Sequence, residues 1–248
     1  MERFASFDGA PIAYRTIGAG RPALLLHGFL ADAELNWIQP GIAAKIAASG
    51  RQVILPDLRG HGASAAPAGA HDYPPDALAM DQEALVAHLG LGDYDLVGYS
   101  LGARTAMRMM VRGARPARAV LGGMGDSGIM NVAARKAFFA DSIRNGARAA
   151  RPEAGKYIQA TIAERGLSAE AMLNVLEQQV DTPRAALSGI GVPILVVSGA
   201  DDEDNGSAEA LAAALPRARA VRVPGNHLTA VGEPALAEAI LAFLDTPI

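Results

Sequence analysis

The chain has 248 residues, half of them hydrophobic, a formal net charge of −4 and no cysteine. This length suits one large domain or two small ones with a sizeable core, and the lack of cysteine excludes disulfides, thiolate nucleophiles and Cys-based metal sites. The Lys and Arg residues are scattered, which excludes a nucleic-acid backbone or an anionic membrane as the partner and points to a small molecule.

Apolar runs such as "ALLL" and "PILVV" are too short to span a bilayer, and "MERFASFDG" lacks the apolar core of a secretory signal, so a cytoplasmic protein is expected. In chain order, "RFASFDGAPIAYRTIG" reads as two alternating segments around Asp8-Gly9, an antiparallel hairpin. Buried β-rich runs follow at "PALLLHG", "QVILPD", "YDLVGY", "ARAVLGG", "VPILVVSG" and "RAVRVPG", each closed by Gly, Pro or Asp. Helices fill the intervals: one over about 76–89, one opening at Ser100, one near 207–215, and a last over 234–244 with Pro at its first turn. Short strands alternating with helices predict an α/β fold, a mostly parallel central sheet with helices on both faces.

Roughly sixty residues separate "AVLGGMGDSG" from "VPILVV", far more than a usual crossover. The segments "VAARKAFFADSIRNGARAA" and "AEAMLNVLEQQV" within it are amphipathic and helical. This predicts a core of residues 1–125 and 188–248 and a helical cap inserted at 126–187, folded over the strand ends where open α/β sheets bind ligands.

"GYSLG" matches G-x-S-x-G in the setting that gives the motif its mechanism, after a strand and before a helix. There the serine takes a strained conformation that projects Oγ into the cleft, and side chains at Gly98 or Gly102 would collide where strand and helix approach. A serine hydroxyl is a weak nucleophile and needs a base. His227, in "VPGNHLTAV" between the last strand and the last helix, lies at the same sheet edge as Ser100. His27 and His61 also follow strands and read as structural, while His71 falls in a Pro-rich loop and His88 in a helix. The imidazole needs a carboxylate to fix its tautomer; Asp202 and Asp201 follow "PILVVSGA", and Asp126 is a third candidate. The amide of Leu101, at the start of the helix, suits an oxyanion donor because orphan N–H groups and the positive helix end coincide there.

Two other patterns fail on inspection. "GMGDSG" over Gly123 to Gly128 matches a dinucleotide fingerprint, but no second strand bearing an acid for a ribose follows. "DDEDNG" resembles the opening of a calcium loop, yet its twelfth position is Ala212 rather than Glu.

From "LLHGF" and "DLRGHGAS" through "GYSLG" to "GADD" and "GNHLTAVGEPALAEAILAFL", nearly the whole chain resembles the α/β-hydrolase fold superfamily of capped serine hydrolases. The resemblance implies that the acid stands three residues after the glycine closing the penultimate strand, which from Gly199 is Asp202. It also implies that the H-G-x segment makes the Phe29 amide the second oxyanion donor. Asn226 before His227 departs mildly from the family's usual Gly-His or Asp-His. The expectation is therefore a serine esterase working through an acyl-enzyme, with Ser100, Asp202 and His227 as the triad and no metal or organic cofactor. Cap residues Met130, Phe138, Phe139, Tyr157 and Met172 would line an acyl pocket. Relatives of this architecture also include C–C bond hydrolases of keto acids, which would want a cationic anchor such as Arg104 or a cap arginine, and weakly catalytic ligand-binding proteins.

Overall fold

The computed structural model describes residues 1–246. Eight strands form one sheet: β1 (Glu2–Ala5), β2 (Pro11–Ile17), β3 (Arg21–Leu26), β4 (Arg51–Pro56), β5 (Asp95–Tyr99), β6 (Arg118–Gly122), β7 (Ile194–Gly199) and β8 (Ala218–Val223), in the order β1-β2-β4-β3-β5-β6-β7-β8. The first two pairings, β1 with β2 and β2 with β4, are antiparallel, and the rest are parallel. Asp8-Gly9 lies in a three-residue hairpin loop: the Gly9 N–H donates to Ser6 C=O at 3.0 Å to close a turn, the Ser6 N–H donates to Ala10 C=O at 2.9 Å, and Asp8 Oδ1 accepts the Ala10 N–H at 3.0 Å.

Successive strand residues point to opposite faces, and the inner parallel strands are apolar on both, whereas the edge strand β8 is half-exposed. Leu24, Leu26, Ile54, Leu96, Leu121 and Val196 join one core. It is covered by α2 (Ala77–His88), α3 (Leu101–Arg112) and α9 (Ala208–Ala213). Ala23, Leu25, Val53, Leu55, Val97, Val120 and Leu195 join the other, covered by α1 (Ile42–Ala48) and α10 (Pro234–Leu244). Two-sided burial is why these runs read as continuous hydrophobic stretches rather than alternating ones.

Between β6 and β7 the chain leaves the sheet for α4 (Asp126–Met130), α5 (Ala133–Asn145), α6 (Pro152–Glu164), α7 (Ala169–Glu177) and α8 (Arg184–Leu187). These helices meet the loops that follow the carboxyl ends of the strands. Arg165 pairs with Asp32 at 2.5 Å beyond β3, the Asn174 amide donates to Ala68 C=O at 2.9 Å beyond β4, and the Phe139 ring lies edge-on to Phe29 with centroids 4.9 Å apart. No helix among the described residues is long and apolar enough to cross a membrane.

Candidate active site

Ser100 joins β5 to α3 with φ 53° and ψ −112°, a positive φ that a non-glycine residue rarely adopts. The surroundings enforce it. The Ser100 N–H donates to Gly122 C=O on β6 at 2.8 Å, and its carbonyl accepts the Arg104 N–H at 3.0 Å as the first bond of the helix. A methyl group at Gly98 would strike the Gly102 carbonyl, and one at Gly102 would strike that of Leu26, so both positions exclude any side chain. The elbow thus fits only because strand, turn and helix backbone are in direct contact.

His227 follows β8, and its two ring nitrogens are both engaged. Nδ1 lies 2.9 Å from Asp202 Oδ2 and Nε2 lies 2.9 Å from Ser100 Oγ. An ionised carboxylate only accepts, so Nδ1 carries the proton and Nε2 is the acceptor for the serine O–H. Burial pushes the Asp202 carboxyl up, but the hydrogen bond and electrostatic attraction of His227, the Asp204 N–H and the nearby Arg135 together hold it below the usual carboxylate range. It is 5 % exposed, fixed by its own N–H to Gly199 C=O at 3.2 Å and by the Asp204 N–H on Oδ1 at 3.1 Å.

The other two candidate acids go elsewhere. Asp201 is exposed, with its N–H bonded to Gly225 C=O at 3.1 Å. Asp126 accepts the Ser207 N–H at 2.8 Å and anchors the segment entering α9. Asp202, Asp204 and His227 also offer atoms within 4.8 Å of one another, the kind of group that holds a metal. In this arrangement both nitrogens of His227 are already committed to Asp202 and Ser100, and Asp204 is paired with Arg135 at 2.9 Å.

The loop after β3 runs beside the serine: a methyl at Gly28 would stand 3.5 Å from Ser100 Cβ. Two buried histidines shape it. His27 Nε2 accepts the Leu58 N–H at 2.8 Å while Nδ1 donates to Gly28 C=O at 2.8 Å. His61 Nε2 accepts the Leu30 N–H at 3.3 Å while Nδ1 donates to Arg59 C=O at 3.1 Å. Leu30 is held at φ 58°, and Asn36 Oδ1 takes the Gly28 N–H at 2.8 Å. Desolvation lowers His27 to about 4; desolvation and its neighbour His27 lower His61 to about 3, so both rings are neutral at physiological pH. Among the described residues no acceptor takes the N–H of Phe29 or Leu101, which leaves both amides free for a ligand.

Of the expected pocket residues, Phe139 touches Phe29, and Phe138 stacks edge-on against Phe139 at 5.1 Å. Met130 is partly buried against the core. Met172 is fully buried and packs toward the Gly60 loop, whereas Tyr157 is 60 % exposed on α6. Both lie on amphipathic helices whose phase sequence alone does not orient. Sequence reasoning also missed Tyr99, whose hydroxyl donates to His227 C=O at 2.8 Å; an aromatic residue ending a buried strand gives no sign of such a partner.

The family model for the alpha/beta hydrolase fold matches residues 22–121. A non-heme haloperoxidase of Rhodococcus erythropolis is 39% identical over 116 residues, 46% of this chain and 40% of that protein. The aligned parts thus span about 40% or less of the first curated relatives' own length. Among solved structures, a hydrolase from Pseudomonas aeruginosa superposes with TM-score 0.76 at 25% identity, covering 99% of this chain and 98% of that one. A thermophilic esterase from Thermogutta terrifontis superposes with TM-score 0.75 at 25% identity over 98% and 97% of the two chains. With this sheet order, this elbow and these matches, the chain has the alpha/beta hydrolase fold.

Proposed function

We propose that the protein is a serine hydrolase that cleaves small carboxylic esters through an acyl-enzyme. The observation that carries this reading is the unbroken relay from Asp202 to His227 to Ser100, with both links at 2.9 Å. Ser100 Oγ attacks the ester carbonyl while His227 Nε2 takes its proton, and Asp202 stabilises the resulting imidazolium. The amides of Phe29 and Leu101 receive the oxyanion; a donor of this kind is worth roughly a hundred- to a thousandfold in rate. His227 then protonates the departing alcohol. Water, deprotonated by the same nitrogen, releases the acid and regenerates the serine, so the cycle needs no metal or organic cofactor.

The helices of residues 126–187 act in this reading as a cap that limits the size of the acyl group, with Phe139 over the oxyanion loop as the contact that supports it. The named esterase among the superposed structures agrees with the ester as the bond cleaved. Turnover of p-nitrophenyl acyl esters from acetate to decanoate, in wild type and Ser100→Ala, tests it. Loss of turnover in Ser100→Ala with an intact melting transition is the expected result. Equal turnover in the two proteins would remove the hydrolase reading.

A further inference from the structure

Four arginines are buried among the described residues, and three of them are neutralised. Arg51 pairs with Asp95 at 3.3 Å and Asp245 at 2.7 Å, Arg59 with Asp8 at 2.6 Å and Asp81 at 2.7 Å, and Arg118 lies 3.8 Å from Asp95 and donates to the Thr246 carbonyl. Arg104 is different. Its side chain makes no hydrogen bond or ion pair with any described residue, it is 5 % exposed, and Nη1 is fully enclosed without a partner.

An unpaired buried cation is strongly destabilising, so its retention one helical turn from the proposed nucleophile calls for a ligand. Burial and the repulsion of Arg135 lower the Arg104 guanidinium to about 10, opposed by Asp181, which still leaves it charged at neutral pH. Asp181 is already committed, accepting the Val132 N–H at 2.7 Å. Arg135 adds a second positive charge felt by both Arg104 and Asp202.

Position selects the ligand. Residues three apart on a helix share a face, so Arg104 stands on the side of Leu101, the proposed oxyanion donor, and the two line one cleft. Thr105, Gln178, Asp76 and Arg108 also line it; its remaining space is about 10 Å³, room for one water-sized group, and the Asp76 carboxylate there is already held by Arg108 at 2.7 Å. Ser100 and Arg104 are separated by four helical rises, roughly 6 Å along the axis. A carboxylate oxygen seated there would therefore be linked to the reacting carbonyl by a short spacer.

We infer that Arg104 anchors a carboxylate on the acyl group, so that the substrates are half-esters of short dicarboxylic acids rather than neutral esters. The inference rests on the serine hydrolase reading for its chemistry. For monoethyl succinate, Ser100 Oγ forms the new C–O bond, the ethoxy C–O bond breaks, and the serine proton passes through His227 to ethanol. Water then cleaves the succinyl-enzyme, giving the succinate dianion and one proton.

The test compares kcat/KM for monoethyl succinate with that for ethyl butyrate, in which a methyl replaces the carboxylate. In Arg104→Met the ratio of the two should fall at least tenfold, mainly through KM for the half-ester, with Arg104→Lys between that variant and wild type. An unchanged ratio in a folded Arg104→Met would overturn the anchor. Binding is read separately in the Ser100→Ala background, where turnover plays no part. Glutarate should raise the melting temperature of Ser100→Ala but not of Ser100→Ala/Arg104→Met, while glutaramide should shift neither. If no ester is turned over but this difference appears, the hydrolase reading fails and the anchor stands. No glutarate shift, or an equal shift from chloride, would overturn the substrate role.

Discussion

The phenol of Tyr99 donates to the backbone carbonyl of His227 at 2.8 Å, so the residue before Ser100 holds the loop that carries His227. The ring also lies against the imidazole, with centroids 5.6 Å apart. Burial, with the nearby Asp202 and Asp204 charges adding to it, raises the Tyr99 phenol, which keeps it protonated and donating across the working pH range. Tyr99→Phe removes the donor and keeps the ring. It should cost about 1 kcal/mol of stability and lower kcat for p-nitrophenyl acetate up to about tenfold with KM unchanged. Wild-type kcat in this variant would show that the loop is held by its other contacts.

Asp202 and Asp201 are adjacent, yet only Asp202 meets the imidazole, while Asp201 is exposed. Asp202→Asn presents an amide that can donate to Nδ1 and so favours the wrong ring tautomer, an exchange that costs about ten-thousandfold in kcat in a well-formed triad. Asp201→Asn should stay within about twofold of wild type, since a solvated surface change alters little. Steady-state kinetics on one ester in both variants check the pair, and the opposite ranking would remove Asp202 from the relay.

The fold and the placement of these residues were legible for different reasons. The inner parallel strands stood out because burial on both faces makes runs such as "ILVVSG" uniformly apolar; Ser100 follows such a run and His227 follows the half-exposed edge strand β8, which puts both at one edge of the sheet. Choosing between Asp201 and Asp202 took a count from Gly199, because both residues follow the same strand and only the loop's hydrogen bonds decide which one turns inward. Asp8-Gly9 marked the hairpin because its turn needs them: the Gly9 N–H closes a turn on Ser6 C=O at 3.0 Å and Gly9 takes a φ of 85°. The bond from Tyr99 and the isolation of Arg104 depend on what the rest of the fold brings beside them, which no local pattern encodes. Helix phase in the insertion was equally out of reach, and it is what separates buried Met172 from exposed Tyr157.

His27 and His61 make stability depend on pH in a definite direction. Each has a folded-state pKa, about 4 and about 3, below the ordinary imidazole value, so between these values and pH 6.5 the unfolded chain binds protons that the folded one refuses. Stability is therefore full above about pH 6.5 and falls as the pH drops toward 4, with His27 alone accounting for roughly 3 kcal/mol. Urea unfolding at intervals from pH 7 to 4.5 should show this slope, and His61→Gln should make it shallower by about one proton. A slope identical in wild type and variant would mean that His61 does not contribute. Protonating either ring also sets an N–H against the Leu58 or Leu30 N–H, so the loop that carries Phe29 should loosen over the same pH range.

The guanidinium of Arg59, fully buried, supports the loops of "DLRGHGAS" at a distance from the proposed chemistry. It binds Asp81 through Nε at 3.0 Å and Nη2 at 2.7 Å, Asp8 at 2.6 and 2.9 Å, and Asp72 C=O at 2.8 Å. Burial already pushes the Asp81 carboxyl up against the pull of Arg59, so removing the cation strands a desolvated acid with Ser6 as its remaining partner. Arg59→Met should therefore cost about 3–5 kcal/mol. Asp81→Leu alone should also destabilise, because it leaves part of the guanidinium unpaired. In Arg59→Met/Asp81→Leu both charges go, and an apolar pair of similar volume should recover more than half of the Arg59→Met loss, a coupling that urea unfolding of the three variants measures directly. A double variant no more stable than Arg59→Met would place the cost in the lost contacts of the guanidinium to Asp8 and the Asp72 carbonyl, which hold the hairpin loop to the end of the 70–72 turn.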